Sequence, residues 1–201
     1  MASDVVFDRL SRGGRRAWRE IAQARDRAVL DSFLVARFDA DRDYWTLAAA
    51  LWLEMWGHHH ENRSDWRRVL SSPRAGREHL MTPAERRRLA ALPDPLTVWR
   101  GFSGRPDGWA GFSWAARREH AAFYAVLAAS PEGQSRGATP GRALIAEATV
   151  ARRDVLAFFD ALPGPEVLVL PESPSLVACR ALTHADFWAL RCALPIRELA
   201  A

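Results

Sequence analysis

The chain has 201 residues, of which 49% are apolar and 26% charged, and a formal net charge of +4. These values are typical of a globular protein and exclude both a disordered tail and a disulfide-stapled miniprotein. All 28 basic residues are arginine, which excludes chemistry that depends on a phosphate-loop, Schiff-base or kinase-type lysine.

The compartment is predicted from targeting signals and cysteine usage. No apolar run reaches the roughly 18 to 20 residues that a membrane span requires, and residues 1–4 do not begin an export signal. We therefore expect a cytoplasmic protein with no membrane partner. In that compartment Cys179 and Cys192 are expected to stay reduced and not to form a disulfide.

The first part of the chain is predicted to be helical. Residues 5–37 carry apolar residues at helical spacing and no proline, and Tyr44–Trp56 is apolar on nearly every side, as in a buried helix. Residues 82–85, Thr-Pro-Ala-Glu, combine a capping hydroxyl, a proline in the first turn and a glutamate able to reach back. The pair Pro93 and Pro95 then ends the helical part.

Runs of strand length follow the proline pair. They are separated by proline and glycine and comprise Leu96–Arg100, Ala143–Val150, Val155–Phe159, Val167–Leu170 and Ser175–Cys179, with one alanine-rich helix at Ala115–Ala129. Because few helices lie between the strands, the pattern predicts an α+β architecture and not a doubly wound parallel sheet. We expect a helical part over 1–92 packed on a β core over 93–201, within one structural domain.

Four pieces of the β core carry candidate chemistry: Val-Trp-Arg-Gly at 98–101, Gly-Phe-Ser-Trp at 111–114, Ala-Phe-Tyr-Ala at 122–125 and Pro-Gly-Pro-Glu-Val-Leu at 163–168. In order and spacing, these pieces resemble the ADP-ribosyltransferase family, in particular the Arg/Ser/Glu branch of bacterial toxins and phage-associated proteins. The resemblance implies an ADP-ribosyltransferase-like split β-sheet core with N-terminal helices. It also implies NAD as co-substrate.

The resemblance gives Arg100 and Gly101 roles in binding NAD. Arg100 would hold a phosphate and a ribose, which suits a planar donor group that stays charged. Gly101 would let the backbone approach the nicotinamide carboxamide. The alternative for Arg100 is an ordinary surface arginine whose stem lies along a strand edge.

The serine piece is similar to the strand that borders the nicotinamide ribose in the family. There Ser113 would form hydrogen bonds around that ribose, and the adjacent Trp114 would contact NAD. Phe123 and Tyr124 on the following helix are candidates for nicotinamide contact, although an aromatic pair in this position is more often core packing. The family commonly has a second hydroxyl two residues after the serine, whereas this chain has Ala115.

Glu166 is the residue that we expect to stabilise the reacting sugar. It opens an otherwise apolar strand, where a carboxylate needs a reason to be present. The resemblance implies that it accepts a hydrogen bond from the ribose and stabilises the oxocarbenium-like sugar as nicotinamide leaves. Arginine-specific relatives carry a second carboxylate or a glutamine two residues earlier, but this chain has Gly164, which argues against arginine as the acceptor.

The sequence therefore predicts a mono-ADP-ribosyltransferase that acts on an unknown protein or nucleic acid, with an antidote or host target as a further partner. This prediction requires the side chains of Arg100, Ser113 and Glu166 to converge on one crevice. NAD hydrolysis on the same fold and a non-catalytic basic module are the alternatives. No metal is expected, because the adjacent histidines of His58-His59-His60-Glu61 do not share a helix face.

Overall fold

The computed structural model describes residues 9–22, 28–55, 62–131, 133, 141–160, 164–183, 185–186 and 188–189. The chain divides into two compact units, Met1–Pro83 and Ala84–Ala201. The division comes before the proline pair at which the sequence analysis placed the boundary. None of the described helices is both long and apolar enough to cross a bilayer.

The first unit is helical, as predicted. Its elements are α1 (Arg12–Ile21), α2 (Ala28–Val35), α3 (Asp41–Glu54), α4 (Arg63–Leu70) and a 3-10 turn (Arg77–Leu80). Every residue of α3 from Asp43 to Trp52 is buried, which confirms that this apolar segment is surrounded on several sides. Trp45 and Trp52 of α3, together with Trp66 of α4, form much of the core of the unit, because each is no more than 1% exposed.

A buried carboxylate joins two helices of this unit. Asp43 on α3 is 1% exposed and accepts a hydrogen bond of 3.0 Å from the main-chain N–H of Ser11, as well as one from the Ser11 hydroxyl. The same hydroxyl accepts a bond of 3.1 Å from the N–H of Gly14 and so caps α1. A buried charge is tolerated here because hydrogen-bond donors surround it.

The second unit is built on one six-stranded sheet. In chain order it contains α5 (Pro83–Ala91) except for its first residue, followed by β1 (Leu96–Gly104), β2 (Ser113–Ala115), α6 (Arg118–Ala129), β3 (Arg142–Val150), β4 (Val155–Phe159), β5 (Glu166–Val169) and β6 (Ser175–Ala181), with 3-10 turns before β2 and β4. The strand order is β4-β5-β2-β1-β3-β6, and every neighbouring pair is antiparallel. The α+β class is therefore confirmed.

Helix α6 packs closely on one face of the sheet. Ala121, Ala122 and Ala125 are buried together with Ile145 of β3, and small side chains allow the helix to approach the strands. At Gly101 the approach is so close that a methyl group would overlap the carbonyl oxygen of Ala121. Packing against α6 therefore explains why residue 101 is glycine.

Helix α5 is fixed to the strands of the second unit at both of its ends. The guanidinium of Arg152 donates hydrogen bonds to the carbonyl oxygens of Ala90 and Leu92. At the other end, the carboxylate of Glu85 accepts a bond of 3.2 Å from the N–H of Asp160, and the Asp160 carboxylate pairs with Arg88. Asp160 directly follows β4, so α5 holds the start of the loop that leads to β5.

Candidate functional site

The three residues singled out from the sequence lie on three neighbouring strands. Ser113 opens β2 and Glu166 opens β5, as the family resemblance implied, whereas Arg100 lies in the middle of β1 and not at its end. In the strand order, β2 lies directly between β5 and β1. The sheet therefore brings together segments that are far apart along the chain.

Ser113 and Glu166 project from the same face of the sheet. The register places Ser113 opposite Leu168 and Ala115 opposite Glu166, so the serine and the glutamate are diagonal neighbours. In an antiparallel pair, such neighbours have Cα atoms about 7 to 8 Å apart. Ala115 also belongs to the buried cluster under α6, which shows that this is the face on which α6 packs.

Arg100 starts from the opposite face. Side chains alternate along a strand, and Gly101 faces α6, so the stem of Arg100 lies on the side of the buried residues Val98 and Phe102. The alternation of β1 separates the arginine stem from Ser113 and Glu166, so the three groups can share one crevice, as the sequence analysis expects, only through the far end of the arginine side chain.

The guanidinium of Arg100 nevertheless returns to the edge of β2. Its Nη1 atom donates a hydrogen bond of 2.6 Å to the carbonyl oxygen of Ser113. The guanidinium also lies against Gly111, where any side chain would overlap it. The Arg100 guanidinium is thus held by contact with Gly111 and by the main-chain oxygen of Ser113. Arg100 and Ser113 are therefore in direct contact, although the arginine stem starts on the opposite face of the sheet.

Strands β1 and β2 are in register over only a short stretch. They are in register only at Trp99 and Ala115, whereas β1 and β3 are in register over nine positions. The carbonyl of Phe112 accepts a bond from Val169 of β5, and because carbonyls alternate along a strand, that of Ser113 points toward β1. By the same alternation, the N–H and C=O of Gly101 point toward β2.

Glu166 is a carboxylate within a buried strand. It is 6% exposed, and the three residues that follow it in β5 are fully buried. Leaving a charged carboxylate in such a place costs free energy unless donors or positive charge stabilise it. The start of α6 lies beside the start of β5, since the N–H of Ala116 donates a bond of 2.9 Å to the carbonyl of Pro165, and the positive end of a helix dipole favours a carboxylate.

His120 is a residue that the sequence analysis did not single out. It lies in the first turn of α6 and is 4% exposed. A side chain at Gly164 would overlap the atoms of its imidazole ring, so the ring occupies the space that a side chain at residue 164 would need. A histidine in an alanine-rich helix gives no signal in the sequence that it will contact a glycine far along the chain.

The aromatic residues predicted to contact NAD are Trp114, Phe123 and Tyr124, and they differ in their exposure. Trp114 is 1% exposed, donates a hydrogen bond of 3.0 Å to the carbonyl of Gly111 and packs edge-on against Trp109. It therefore anchors the loop before β2 inside the fold. Phe123 is 41% exposed, because it lies on the side of α6 away from the buried alanines, and its ring packs against that of Tyr124 at 5.5 Å.

Metal and disulfide sites can be judged only for part of the chain. Among the described residues, no group of three or more His, Cys, Asp or Glu side chains could hold a metal ion. The segment His58–Glu61 and Cys192 both lie outside the described residues. Cys179 on β6 is a free thiol, and burial raises its pKa.

Comparison with known proteins gives no relative for this chain. No family model, no curated protein and no solved structure matches it. Any assignment of function therefore depends on the residues and geometry described above.

Proposed function

We propose that the protein is an NAD-consuming mono-ADP-ribosyltransferase whose site lies where β1, β2 and β5 meet. The observation that carries the proposal is Glu166, a carboxylate with 6% exposure that shares a sheet face with Ser113 on the adjacent strand. A buried carboxylate beside a hydroxyl is a pair that can stabilise a cationic sugar. The fold must compensate the free-energy cost of burying this carboxylate, and a sheet with only a structural role has no need for such a pair.

In this proposal NAD lies where β1 and β2 are no longer in register. Arg100 binds a phosphate oxygen, and the main-chain groups of Gly101 hydrogen-bond to the nicotinamide amide. Ser113 and Glu166 bind the nicotinamide ribose from the side of β2 and β5. When the bond between the sugar carbon and the nicotinamide nitrogen breaks, the bonding electrons leave with nicotinamide, and Glu166 stabilises the positive charge on the sugar.

The test is the release of nicotinamide from NAD by wild-type protein and by Glu166→Gln. The substitution keeps the size of the side chain and removes its charge, so we expect the rate to fall by about a hundredfold or more, with little change in NAD affinity. Glu172→Gln is the matched control, since Glu172 is exposed in the turn after β5. An unchanged rate in Glu166→Gln contradicts the proposal.

Hydrolysis of NAD is a second candidate, favoured by one observation. The place of a second carboxylate is filled by the His120 ring against Gly164, so no acid at that position can orient a guanidinium acceptor. Release of nicotinamide without transfer of label to any macromolecule would favour hydrolysis. If NAD at high concentration fails to raise the melting temperature, both enzymatic functions are contradicted and a non-catalytic binding module is favoured.

A further inference from the structure

Gly164 lies in the bend that leads into β5, two residues before Glu166. The N–H of Ala116 donates to the carbonyl of Pro165, the residue between them. Glu166 is opposite Ala115, on the face of the sheet that α6 covers. The start of α6 therefore lies beside the chain from Gly164 to Glu166.

His120, in the first turn of α6, fills the space that a side chain at Gly164 would need. Atoms of its ring lie where the Cβ of residue 164 would be, and the histidine is as buried as the glutamate, at 4% against 6% exposure. An imidazole on α6 thus stands where, by the family resemblance, a carboxylate before β5 would lie. Imidazole can take a proton from a hydroxyl group, but it does not offer the two oxygens that bind a guanidinium.

We infer that His120 is the acceptor-side base and that the acceptor is a hydroxyl group, either of water or of a macromolecule. This inference rests on the proposed function. As nicotinamide leaves, the hydroxyl oxygen forms a bond to the sugar carbon, its O–H bond breaks, and the proton goes to the imidazole of His120. The proton then passes to solvent, so the step needs no further reactant.

The charges at the site favour a neutral acceptor group. A guanidinium would bring its own positive charge next to the cationic sugar, and the second carboxylate that could compensate this charge is replaced by His120. A hydroxyl brings no charge and requires only that one proton be removed. Free ADP-ribose as the product identifies water as the acceptor, and protein- or nucleic-acid-bound label identifies a macromolecular hydroxyl.

The first experiment measures nicotinamide release by His120→Phe and His120→Gln, with and without sodium azide. The phenylalanine variant keeps a ring against Gly164, and the glutamine variant keeps a polar group, so at least one is expected to remain folded. We expect both to be slower than wild type by about a hundredfold, the lower end of the range for general acid–base catalysis. Azide is an anion and attacks without losing a proton. It should therefore raise the rate of both variants at least tenfold and yield the glycosyl azide.

The controls separate this inference from the proposed function. His79→Gln, in the 3-10 turn of the first unit, should keep the wild-type rate. Glu166→Gln should not respond to azide, because its defect lies in cleavage of the glycosidic bond. If wild-type protein releases no nicotinamide, the proposed function fails.

Three outcomes would overturn the inference while leaving the proposed function intact. The first is that the His120 variants turn over NAD at the wild-type rate. The second is that they lose activity but azide restores none of it, which indicates a structural role. The third is that agmatine, a small guanidine, is preferred over water and alcohols as acceptor by the wild-type protein.

Discussion

The imidazole ring of His120 lies against the α-carbon of Gly164 and takes the place of a side chain there. Helix α6 and the segment before β5 therefore fit together only if residue 164 has no β-carbon. The contact couples two segments that are distant in the sequence, and its energetic importance can be measured without reference to function.

Gly164→Ala should destabilise the fold. The added methyl group would overlap the His120 ring, and overpacking of a buried site typically costs about 1 to 3 kcal/mol. Urea denaturation measures the change. Gly108→Ala is the control, because a methyl group there would only reach the Phe102 ring at an ordinary distance of 3.7 Å. If the same methyl group costs as much in the background of His120→Ala, the contact is not the cause.

Arg100→Lys should weaken NAD binding by at least about tenfold. The guanidinium contacts Gly111 and donates to the Ser113 carbonyl, and in the proposed site its planar fork would bind a phosphate, whereas an ammonium group offers no such fork. Calorimetric titration with NAD measures the affinity. Arg105→Lys, whose side chain is 85% exposed in the loop after β1, should bind NAD like the wild type. Equal affinity for the two variants would remove Arg100 from the binding site.

Thr46→Val should stabilise the protein by about 1 kcal/mol. Thr46 lies within α3 and is 1% exposed, and its hydroxyl has no hydrogen-bond partner in the described part of the chain. Valine has nearly the same shape and removes the cost of burying that hydroxyl. The melting temperature should rise, while Thr46→Ser, which keeps the hydroxyl and removes a methyl group, should lower it. A lower melting temperature for the valine variant would indicate that the hydroxyl does have a partner.

Tyr44 should make the stability depend on pH in the alkaline range. Its hydroxyl donates a hydrogen bond of 3.1 Å to the carbonyl of Val69, and burial raises the pKa of Tyr44 above 10.0, although Ser72, Arg74 and Arg68 act in the opposite direction. The unfolded chain ionises first, so stability is lost as pH rises from about 10 toward the raised pKa.

Phenolate absorbance tests this prediction directly. The chain has two tyrosines, so in Tyr124→Phe only Tyr44 titrates. We expect its midpoint above pH 10 in the folded protein and a normal midpoint in denaturant. A folded-state midpoint at or below the denatured one would contradict the assigned effect of burial.

The sequence predicts the elements of the β core better than their spatial relation. β4 has the predicted bounds, and β3, β5 and β6 lie within two residues of theirs, because β-branched and aromatic runs between prolines and glycines leave little choice. β1 extends beyond Gly101 to Gly104. The expected strand end at Gly101 was wrong, since that glycine is required by α6 and does not terminate pairing.

The face on which each residue lies could not be predicted from the sequence. Arg100 starts on the face opposite Glu166 because of the register between β1, β2 and β5, and that register depends on contacts between distant segments. From the sequence, Gly164 is recognised only as the absence of the acidic residue that arginine-specific members of the resembled family carry. That His120 fills the position follows from the packing of α6, which no local pattern encodes.

The position of β5 between β4 and β2 has a consequence during protein synthesis. A nascent chain that ends before Glu166 lacks the strand that pairs with β2 on its outer side, so β2 remains an open edge and the carboxylate is absent. Whatever chemistry this site performs can begin only after most of the polypeptide has left the ribosome. Shortened translation products would be inactive, and their exposed β2 edge would favour association with other strands.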